Sequence, residues 1–570
     1  MLNNFIFFIF FEIILLSIIG WGFFINKVFF KSENFTLVGF LGLSVLTFIS
    51  LFTSIFFKHY YLHNIIILFI GILFIIFFTV NNFKNSKYLK HIILLSLVLY
   101  ITLITPSTHN DFNYYHLPFT KYLSENNTIF GLGHANHGYN LNSSLFYLNS
   151  LFILPIIDYY SLHYSNLYFL IFFNYFLLVK IFEKNFKDDT SRFISLTAFL
   201  FFNIIFYKIY DFGTDKSAQL LLVVLFIFLI NIFLTKSSSL KLENCKILIF
   251  LTIFSITIKS IYISYLLIFF LIMFDLIRSN NLKLLNSLIF SKFFIFCLTF
   301  IFINSFHHFA HSGCFLSPVK FTCFPDLASW SVDHVTSGNL ASYLEFWAKG
   351  GVGLFKNQNY DVINNYNSNF VWLSYYKNTY LFGKLFYAMK IGIIVIIIST
   401  IILYKVKIKK PNIKSLNKFF FLNLLVLLII FYIWFDFHPR LRYGGYVICF
   451  LIGAYFISNL VSIILISRKN YVNAAKIVCI IVFISKVIYS SYYIYKIKGS
   501  FDNFPFYNVN KPAYVSKEYI DNIKINYGVS DHCGITPSIC AQRDKNWVEL
   551  ISIKKKIGFY ILTRDYNINK

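Results

Sequence analysis

The chain has 570 residues, of which 58% are hydrophobic and only 13% are charged, and 74 are Phe. A soluble protein of this length needs about a quarter of its residues charged to cover its surface, so the composition excludes a soluble multidomain protein and a disordered chain. Outside the apolar segments no basic face with interleaved aromatic residues occurs. The net charge of +26 is therefore attributed to membrane topology, and no nucleic-acid partner is expected.

Apolar runs of close to 20 residues recur along the chain, and each is about long enough to cross a ~30 Å hydrocarbon core. We predict an all-α polytopic membrane protein of about 13–14 transmembrane helices. A short apolar stretch at 142–158, which contains Pro155, is predicted to be an interfacial or re-entrant helix. The candidate spans are 5–25, 36–57, 62–81, 91–107, 162–182, 193–209, 217–235, 247–258, 261–277, 287–305, 384–404, 419–435, 443–467 and 475–494.

The basic residues of the loops predict the orientation. One set of alternate loops carries 23 Lys and Arg residues and the other carries 7. Because basic loops stay in the cytoplasm, both termini and the long loop are predicted to face the periplasm of a bacterial inner membrane. The transmembrane domain is then 1–494, with outer loops 109–161 and 306–383, and residues 495–570 form a small soluble α/β domain in the periplasm.

This orientation depends on segment 246–277, which is either one long helix or two short helices interrupted near Lys259 and Ser260. A single helix would place the lysine-rich loop 405–418 on the outer side, so the charge distribution favours the interrupted pair. A polar break inside an apolar segment is tolerated only where it faces protein or a water-filled cavity.

The 8 cysteines divide by predicted side of the membrane. Two close pairs, Cys314 with Cys323 and Cys533 with Cys540, lie on exported segments and are predicted to form disulfides, as an oxidising compartment allows. Metal binding is the alternative for these pairs, although no Cys-x-x-Cys spacing occurs. The remaining cysteines are predicted to be free thiols: Cys245, Cys297, Cys449 and Cys479.

The first polar cluster follows the fourth span and reads Thr108-His-Asn-Asp111-Phe-Asn-Tyr-Tyr-His116-Leu-Pro118. A carboxylate at the end of a membrane helix can take a proton from a sugar hydroxyl, or hold a donor sugar or a divalent metal ion. Tyr115 and His116 are close enough in sequence to contact the same substrate. The alternative is that Asp111 caps a helix that begins near Pro118.

Two further candidates lie in later loops that the topology places on the same side. Asp215 begins a helix after Tyr210-Asp211-Phe-Gly-Thr214, where it is either a second catalytic carboxylate or a helix cap in competition with Thr214. Lys259 either extends toward the membrane surface or holds the phosphate of a lipid substrate.

The last cluster reads Trp434-Phe-Asp436-Phe-His438-Pro-Arg440-Leu-Arg442-Tyr443-Gly-Gly445. Arginine is rare in this lysine-rich chain, and its rigid fork grips phosphate with two hydrogen bonds. We therefore predict substrate contacts for His438, Arg440, Arg442 and Tyr443. The alternative is that the cluster only anchors the helix at lipid headgroups.

Four strings in this order resemble the GT-C membrane glycosyltransferases over roughly residues 90–450. They are Asp111-Phe-Asn-Tyr-Tyr-His-Leu-Pro118, Gly138-Tyr-Asn-Leu-Asn-Ser-Ser144, Gly313-Cys-Phe-Leu-Ser-Pro318 with Thr322-Cys-Phe324, and Arg440-Leu-Arg-Tyr-Gly444. The resemblance implies transfer of a sugar from a polyprenyl-phosphate carrier to a lipid-linked or protein acceptor in the periplasm. It also implies that Asp111 matches the first-loop acid, which is a base or donor ligand, and that Asp215 matches the second acidic position. The family usually places its first acid directly after the first span, whereas about four spans precede it here.

Two other functions remain open at this point. An O-antigen polymerase or ligase would also use a polyprenyl-linked substrate, but it would need arginines in a large outer loop, and 306–383 has none. A transporter or flippase of lipid-linked sugars would need polar groups near the midplane of several helices, and Lys259 is the one candidate that the sequence offers.

Overall fold

Long helices make up most of the chain. The structure is a computed structural model that describes residues 2–32, 35–80, 83–104, 109, 111–183, 189–207, 209, 213–235, 237–352, 354, 359–405, 419–468, 470–497, 499, 503–509, 511–528, 532–541 and 545–564. The helices are α1 (Leu2–Ile25), α2 (Val38–Thr53), α3 (Tyr61–Val80), α4 (Phe83–Leu99), α5 (Leu117–Glu125), α6 (Ser144–Ser150), α7 (Tyr164–Phe182), α8 (Asp189–Ile205), α9 (Thr214–Leu234), α10 (Ser238–Ile258), α11 (Leu267–Arg278), α12 (Leu282–Ile289), α13 (Lys292–Ser312), α14 (His334–Ala348), α15 (Tyr360–Asn367), α16 (Trp372–Tyr376), α17 (Tyr380–Leu403), α18 (Phe420–Phe437), α19 (Gly445–Ile464), α20 (Tyr471–Ile497) and α21 (Lys545–Glu549). The strands are β1 (Tyr404–Lys405), β2 (Ile466–Ser467), β3 (Tyr514–Glu518), β4 (Lys524–Gly528), β5 (Cys540–Ala541), β6 (Ile551–Lys556) and β7 (Phe559–Arg564).

Among the described residues, 12 helical segments are long and apolar enough to cross a membrane, so the chain is an all-α polytopic membrane protein. These segments correspond to 12 of the 14 candidate spans. The other two candidates lie on α8, which has 17 residues, and on α10, which carries Lys241, Glu243 and Lys246 in its first half. The segments are Leu2–Phe30, Phe35–Thr53, Tyr61–Val80, Ser86–Leu103, Asp158–Phe182, Thr214–Leu234, Ser260–Arg278, Lys292–Ser312, Leu381–Leu403, Phe420–Phe437, Gly445–Ile464 and Tyr471–Ile497.

The centre of the bundle is formed by α7, α8 and α9, whose side chains are buried around most of the helix circumference. Helices that are apolar on all sides are expected inside a bundle. In contrast, α3 and α17 expose large apolar side chains, as lipid-facing helices do. At the edge of the bundle α1 and α3 approach closely through Gly20 and Gly71, since a Cβ on Gly20 would lie 1.8 Å from the Gly71 carbonyl oxygen.

The interruption near Lys259 is confirmed. Helix α10 ends at Ile258, Lys259 is extended with φ −152° and ψ 119°, and a 3₁₀ segment at Ser260–Leu266 leads into α11. The break is compensated by protein, because the Ser143 hydroxyl donates to the Ile258 carbonyl oxygen at 2.6 Å. A carbonyl that loses its helical partner in a membrane protein needs such a donor.

The short helix predicted within 142–158 is α6, and it is buried throughout its length. The Asn64 amide group on α3 donates to the carbonyl oxygens of Ser150 and Ile153, both at 2.8 Å. The backbone that leaves α6 is thus satisfied by a neighbouring helix, and the segment is enclosed by protein.

The tail, which is the part of the chain that follows α20, forms two small sheets. They pack on the first large loop, within 109–161. Strand β4 pairs antiparallel with β3 and parallel with β5, and β6 pairs antiparallel with β7. The edge of β7 bonds to Phe130, whose N–H donates to the Tyr560 carbonyl oxygen at 2.9 Å. Ile557 and Gly558 form the turn between β6 and β7, with φ of 50° and 78°.

Both predicted disulfides are confirmed: Cys314 is bonded to Cys323, and Cys533 is bonded to Cys540. The other four cysteines are free, as predicted. The first bridge closes a loop directly after α13, and the second closes a loop of the tail that contacts α5.

Candidate functional site

A cavity of about 480 Å³ opens at the end of the bundle where α9 begins and where α10 and α18 end. This volume lies within the range of ligand-binding sites. Eight of the nine residues predicted to be catalytic or substrate-binding line it: Asp111, Tyr115, His116, Asp215, Lys259, His438, Arg442 and Tyr443. The ninth, Arg440, lies behind the wall. Asp211 falls outside the described residues.

Asp111 enters the cavity from a short π-helical turn, Phe112–His116, which leads into α5. Its side chain makes no capping hydrogen bond, so the capping alternative is not what the structure contains. The carboxylate instead lies 3.4 Å from Arg442 Nη1 and 3.5 Å from His109 Nδ1. Its closest charged partner therefore comes from a segment more than 300 residues away in sequence.

Asp215 lies in the first turn of α9, where the helix dipole favours a negative charge. Its carboxylate forms an ion pair with Lys259 and lies 3.8 Å from Arg442 Nε. Asp215 and Lys259 remain 20% and 23% exposed, which leaves the pair open to the cavity. Lys259 therefore turns toward the cavity, where it is paired with Asp215.

The turn Leu441–Tyr443 places one guanidinium and one phenol in the cavity wall. Arg442 Nη2 donates to the Tyr443 hydroxyl at 3.1 Å, and Lys259 Nζ lies 3.9 Å from the centre of the Tyr443 ring. A cation at that distance is attracted to the face of the ring. Gly444 completes the turn at a φ of 108°, and a Cβ there would lie 3.0 Å from the Tyr262 ring.

Arg440 has a different environment from Arg442. Its guanidinium carbon lies 3.2 Å from the centre of the Trp347 ring, and its Nη2 donates to the Trp347 carbonyl oxygen at 2.6 Å. The side chain is 7% exposed and does not line the cavity. Arg440 thus joins α14 to the turn after α18, and the sequence did not distinguish it from its neighbour.

Burial sets the protonation of the groups around the two carboxylates. It lowers the pKa of His116 well below its ordinary value, so this imidazole is neutral near pH 7. It also lowers the pKa of His438 and raises the pKa of Tyr443 to about 12. The cations that contact the two carboxylates are Lys259 and Arg442.

The loop closed by Cys314 and Cys323 covers part of the cavity, with Ser317 and Pro318 in the wall. The Ser337 hydroxyl of α14 donates to the Pro318 carbonyl oxygen at 3.0 Å, which holds the loop in place. Leu344 of the same helix also lines the cavity. The string Gly313-Cys-Phe-Leu-Ser-Pro318 therefore contributes to the cavity wall, as the other three strings of the family resemblance do.

Some contributors were missed in the sequence. The buried Gln219 amide on α9 donates to the Arg442 carbonyl oxygen at 2.8 Å and fixes the arginine turn, but a lone Gln in an apolar helix carries no recognisable pattern. Lys486 lies within the span Tyr471–Ile497 and donates to Asn203 Oδ1 and the Phe206 carbonyl oxygen, both at 3.3 Å. Since Phe206 lines the cavity, this buried lysine supports the wall from behind.

In the described part of the chain, no group of three or more His, Cys, Asp or Glu side chains is arranged to hold a metal ion. The two cavity carboxylates contact Lys259 and Arg442 instead.

Residues 4–449 match a protein family described as a domain of unknown function, DUF8201. The match covers every residue that lines the cavity and ends within α19, before the tail. No curated protein matches the chain, and no solved structure matches it.

Proposed function

The chain belongs to the DUF8201 family, and we propose that it is a membrane glycosyltransferase. It transfers a sugar from a polyprenyl-phosphate carrier to a lipid-linked glycan or a protein acceptor, at the periplasmic face of a bacterial inner membrane. The observation that carries the proposal is one cavity at the ends of apolar helices in which two carboxylates, Asp111 and Asp215, contact Lys259 and Arg442. That combination suits a reaction in which an alcohol loses a proton and a phosphate leaves.

The cations suit the leaving group. When the anomeric carbon separates from the carrier, the electrons of the broken C–O bond remain on the phosphate. Lys259 and Arg442 lie in the same wall and can stabilise that charge. Arg442 offers a planar fork for two phosphate oxygens, and Lys259 offers a point charge.

The carboxylates suit the acceptor. Asp111 takes the proton of the acceptor hydroxyl as its oxygen bonds to the anomeric carbon. A phosphate that binds Arg442 would also draw the guanidinium away from Asp111, which lies 3.4 Å from it, and so free the carboxylate to act as a base. Asp215 keeps Lys259 oriented toward the same space.

The remaining wall suits a sugar. Tyr115, Phe146, Tyr207 and Tyr446 present aromatic surface to the cavity, and aromatic rings combine an apolar face with polar edges. A polar and apolar lining of this kind fits a hexose better than it fits an inorganic ion.

The test is glycan transfer in a deletion strain complemented by Asp111→Asn. The substitution preserves shape and removes the charge, so the protein should reach the membrane and fold, while transfer should fall about 100-fold or more, as for loss of a catalytic base. Asp326→Asn is the matched control, because Asp326 is exposed in the outer loop and does not line the cavity. Surface glycans unchanged in the deletion strain, or full transfer by Asp111→Asn, would reject the proposal.

A flippase or transporter of lipid-linked sugars is the second candidate. It is favoured by one observation, the buried Lys486 and its bonded neighbour Asn203 inside the bundle. In proteoliposomes that hold a fluorescent polyprenyl-phosphate sugar, a transporter moves the intact lipid between leaflets, whereas a transferase leaves it in place until an acceptor is added.

A further inference from the structure

The tail contacts the chain segment that carries Asp111. The loop closed by Cys533 and Cys540 lies against the π-helical turn, and the Gly534 N–H donates to the Asn113 carbonyl oxygen at 2.8 Å. Asn113 is two residues after Asp111. The matched region ends at 449, so this contact comes from a part of the chain outside that region.

Further hydrogen bonds fasten the same loop along α5. Lys121 Nζ donates to the Ile535 carbonyl oxygen, and the Ser538 N–H donates to Glu125 Oε2, both at 2.8 Å. Together with the bond at Asn113, these contacts hold the turn and its helix at both ends. A disulfide-closed loop suits this task, because closure limits the conformations that the loop can adopt.

The tail also supports the turn from its buried side. The Phe112 ring packs edge-on against Tyr507, with ring centres 5.7 Å apart. The Tyr507 hydroxyl donates to the Tyr159 carbonyl oxygen at 2.8 Å, which fixes its ring. Asp111 directly precedes this turn, so a shift of the turn would move its carboxylate relative to Arg442, which lies 3.4 Å away.

We infer that the loop Cys533–Cys540 is a positioning element of the cavity, which holds the turn Phe112–His116 so that Asp111 faces Lys259 and Arg442. This inference rests on the proposed function for its catalytic consequence. The tail thereby supports from outside a cavity whose lining residues all lie within the matched region.

The experiment compares wild type with a double variant of the full-length protein, in which Cys533→Ser is combined with Cys540→Ser. Lys121→Met is the second variant, in case the first does not fold, since it removes a single bond to the loop. Lys555→Ala is the control, because it breaks an exposed tail contact with Asp521 that lies away from the turn. Hydrogen exchange of residues 112–126 reports the turn, and binding of decyl phosphate, detected as a thermal shift, reports the cations.

We expect faster exchange at 112–126 in both variants, unchanged exchange at 438–446, and an unchanged shift with decyl phosphate. Transfer, measured by adding purified protein to deletion-strain membranes, should fall about 10- to 100-fold, as for a displaced catalytic group. The Lys555→Ala protein should match wild type in every readout.

The outcomes distinguish the positioning role of the loop from the proposed glycosyltransferase activity. Unchanged exchange at 112–126 would overturn the inference whatever the activity. Faster exchange with full transfer would show that the loop does not position the base, and would leave the proposed function standing. A wild-type protein without transfer activity would overturn the proposed function, and this result needs no variant.

Discussion

Two lysine–aspartate pairs lie at opposite ends of α10, and they differ in what surrounds them. Lys241 Nζ lies 2.5 Å from Asp275 Oδ2, and the two side chains are only 10% and 7% exposed. The pair of Lys259 with Asp215 is 23% and 20% exposed and borders the cavity. The lysines are separated along the helix by on the order of 27 Å. The same two side-chain types are thus enclosed by protein at one end and open to a ligand at the other.

The difference separates structural ion pairs from functional ones. An enclosed pair can only join α10 to α11, because nothing can reach either charge without unfolding the contact. An open pair can exchange its partner, since an anion that enters the cavity can compete for the lysine. The exposure of an ion pair to the cavity, and not the presence of an ion pair, is therefore the property that identifies the site.

The largest effect should come from breaking the enclosed pair. Asp275→Ala leaves the Lys241 charge buried without its partner, which should cost about 3–5 kcal/mol of unfolding free energy. Asp215→Ala should cost about 1 kcal/mol or less, because Lys259 keeps access to water, but it should abolish transfer. Thermal and denaturant unfolding in detergent, beside transfer assays, measures both. Equal losses of stability would remove the distinction.

Replacing both partners sharpens the comparison. Lys241→Met combined with Asp275→Leu should recover stability to within about 1 kcal/mol of wild type, because a buried ion pair contributes little beyond apolar packing. The same double replacement of Lys259 and Asp215 should also fold, yet it should show no transfer. A stable and active protein with an apolar Lys259–Asp215 pair would exclude this pair from the chemistry.

The convergence of the cavity residues was predictable. Ionisable residues at the ends of apolar spans are recognisable singly, because each is costly near a membrane. Loop charge then placed Asp111, Asp215, Lys259 and Arg442 at one end of the bundle. The break at Lys259 and both disulfides followed from the same division of the chain into two sides.

Other features had no local signal. Arg440 and Arg442 are two residues apart, and only the position of Trp347, more than 90 residues earlier, turns one away from the cavity. Lys486 lies near the middle of a helix of 27 residues that also contains Lys476 and Lys496, and its need for Asn203 becomes clear only when the helices are packed. The docking of the tail on α5 joins residues more than 400 positions apart.

At the open end, the two substitutions of Arg442 should differ in size. Arg442→Ala removes the charge and the fork, and should lower transfer about 100-fold, whereas Arg442→Lys keeps a point charge and should lower it about tenfold. The decyl phosphate thermal shift should follow the same order. If Arg442 only anchors lipid headgroups, both proteins should transfer sugar at close to the wild-type rate.

The buried imidazole of His116 gives a smaller, pH-dependent effect. Burial lowers the pKa of His116 in the folded state below that of the unfolded chain, about 6.5. Above pH 6.5 both states are neutral. As the pH falls below 6.5 the unfolded state binds the proton first, so stability decreases by up to about 1.4 kcal/mol per pH unit for each such group.

His116→Gln should therefore flatten the loss of stability between pH 6.5 and 5.5. Unfolding midpoints at the two pH values measure the slope for wild type and variant. His134 contributes to the remaining slope, because burial lowers its pKa to about 4. The exposed His334→Gln is the control for the substitution itself, and a His116→Gln slope equal to wild type would contradict the assignment.

The smallest effect should be found at Tyr443, where the ring and the hydroxyl have separate roles. Tyr443→Phe keeps the ring that lies 3.9 Å from Lys259 Nζ and loses only the hydroxyl that accepts from Arg442 at 3.1 Å. One such hydrogen bond at a site open to water should change transfer by about threefold to tenfold. Tyr443→Leu also removes the cation–π contact, which contributes about another 0.5–1 kcal/mol at an exposed site. We expect the transfer rate to decrease from wild type to Tyr443→Phe and again to Tyr443→Leu, with little change in the unfolding midpoint of either variant. If the two variants lost stability to the same degree and transferred sugar equally, Tyr443 would be a packing residue like the enclosed pair at the far end of α10, and not part of the open one.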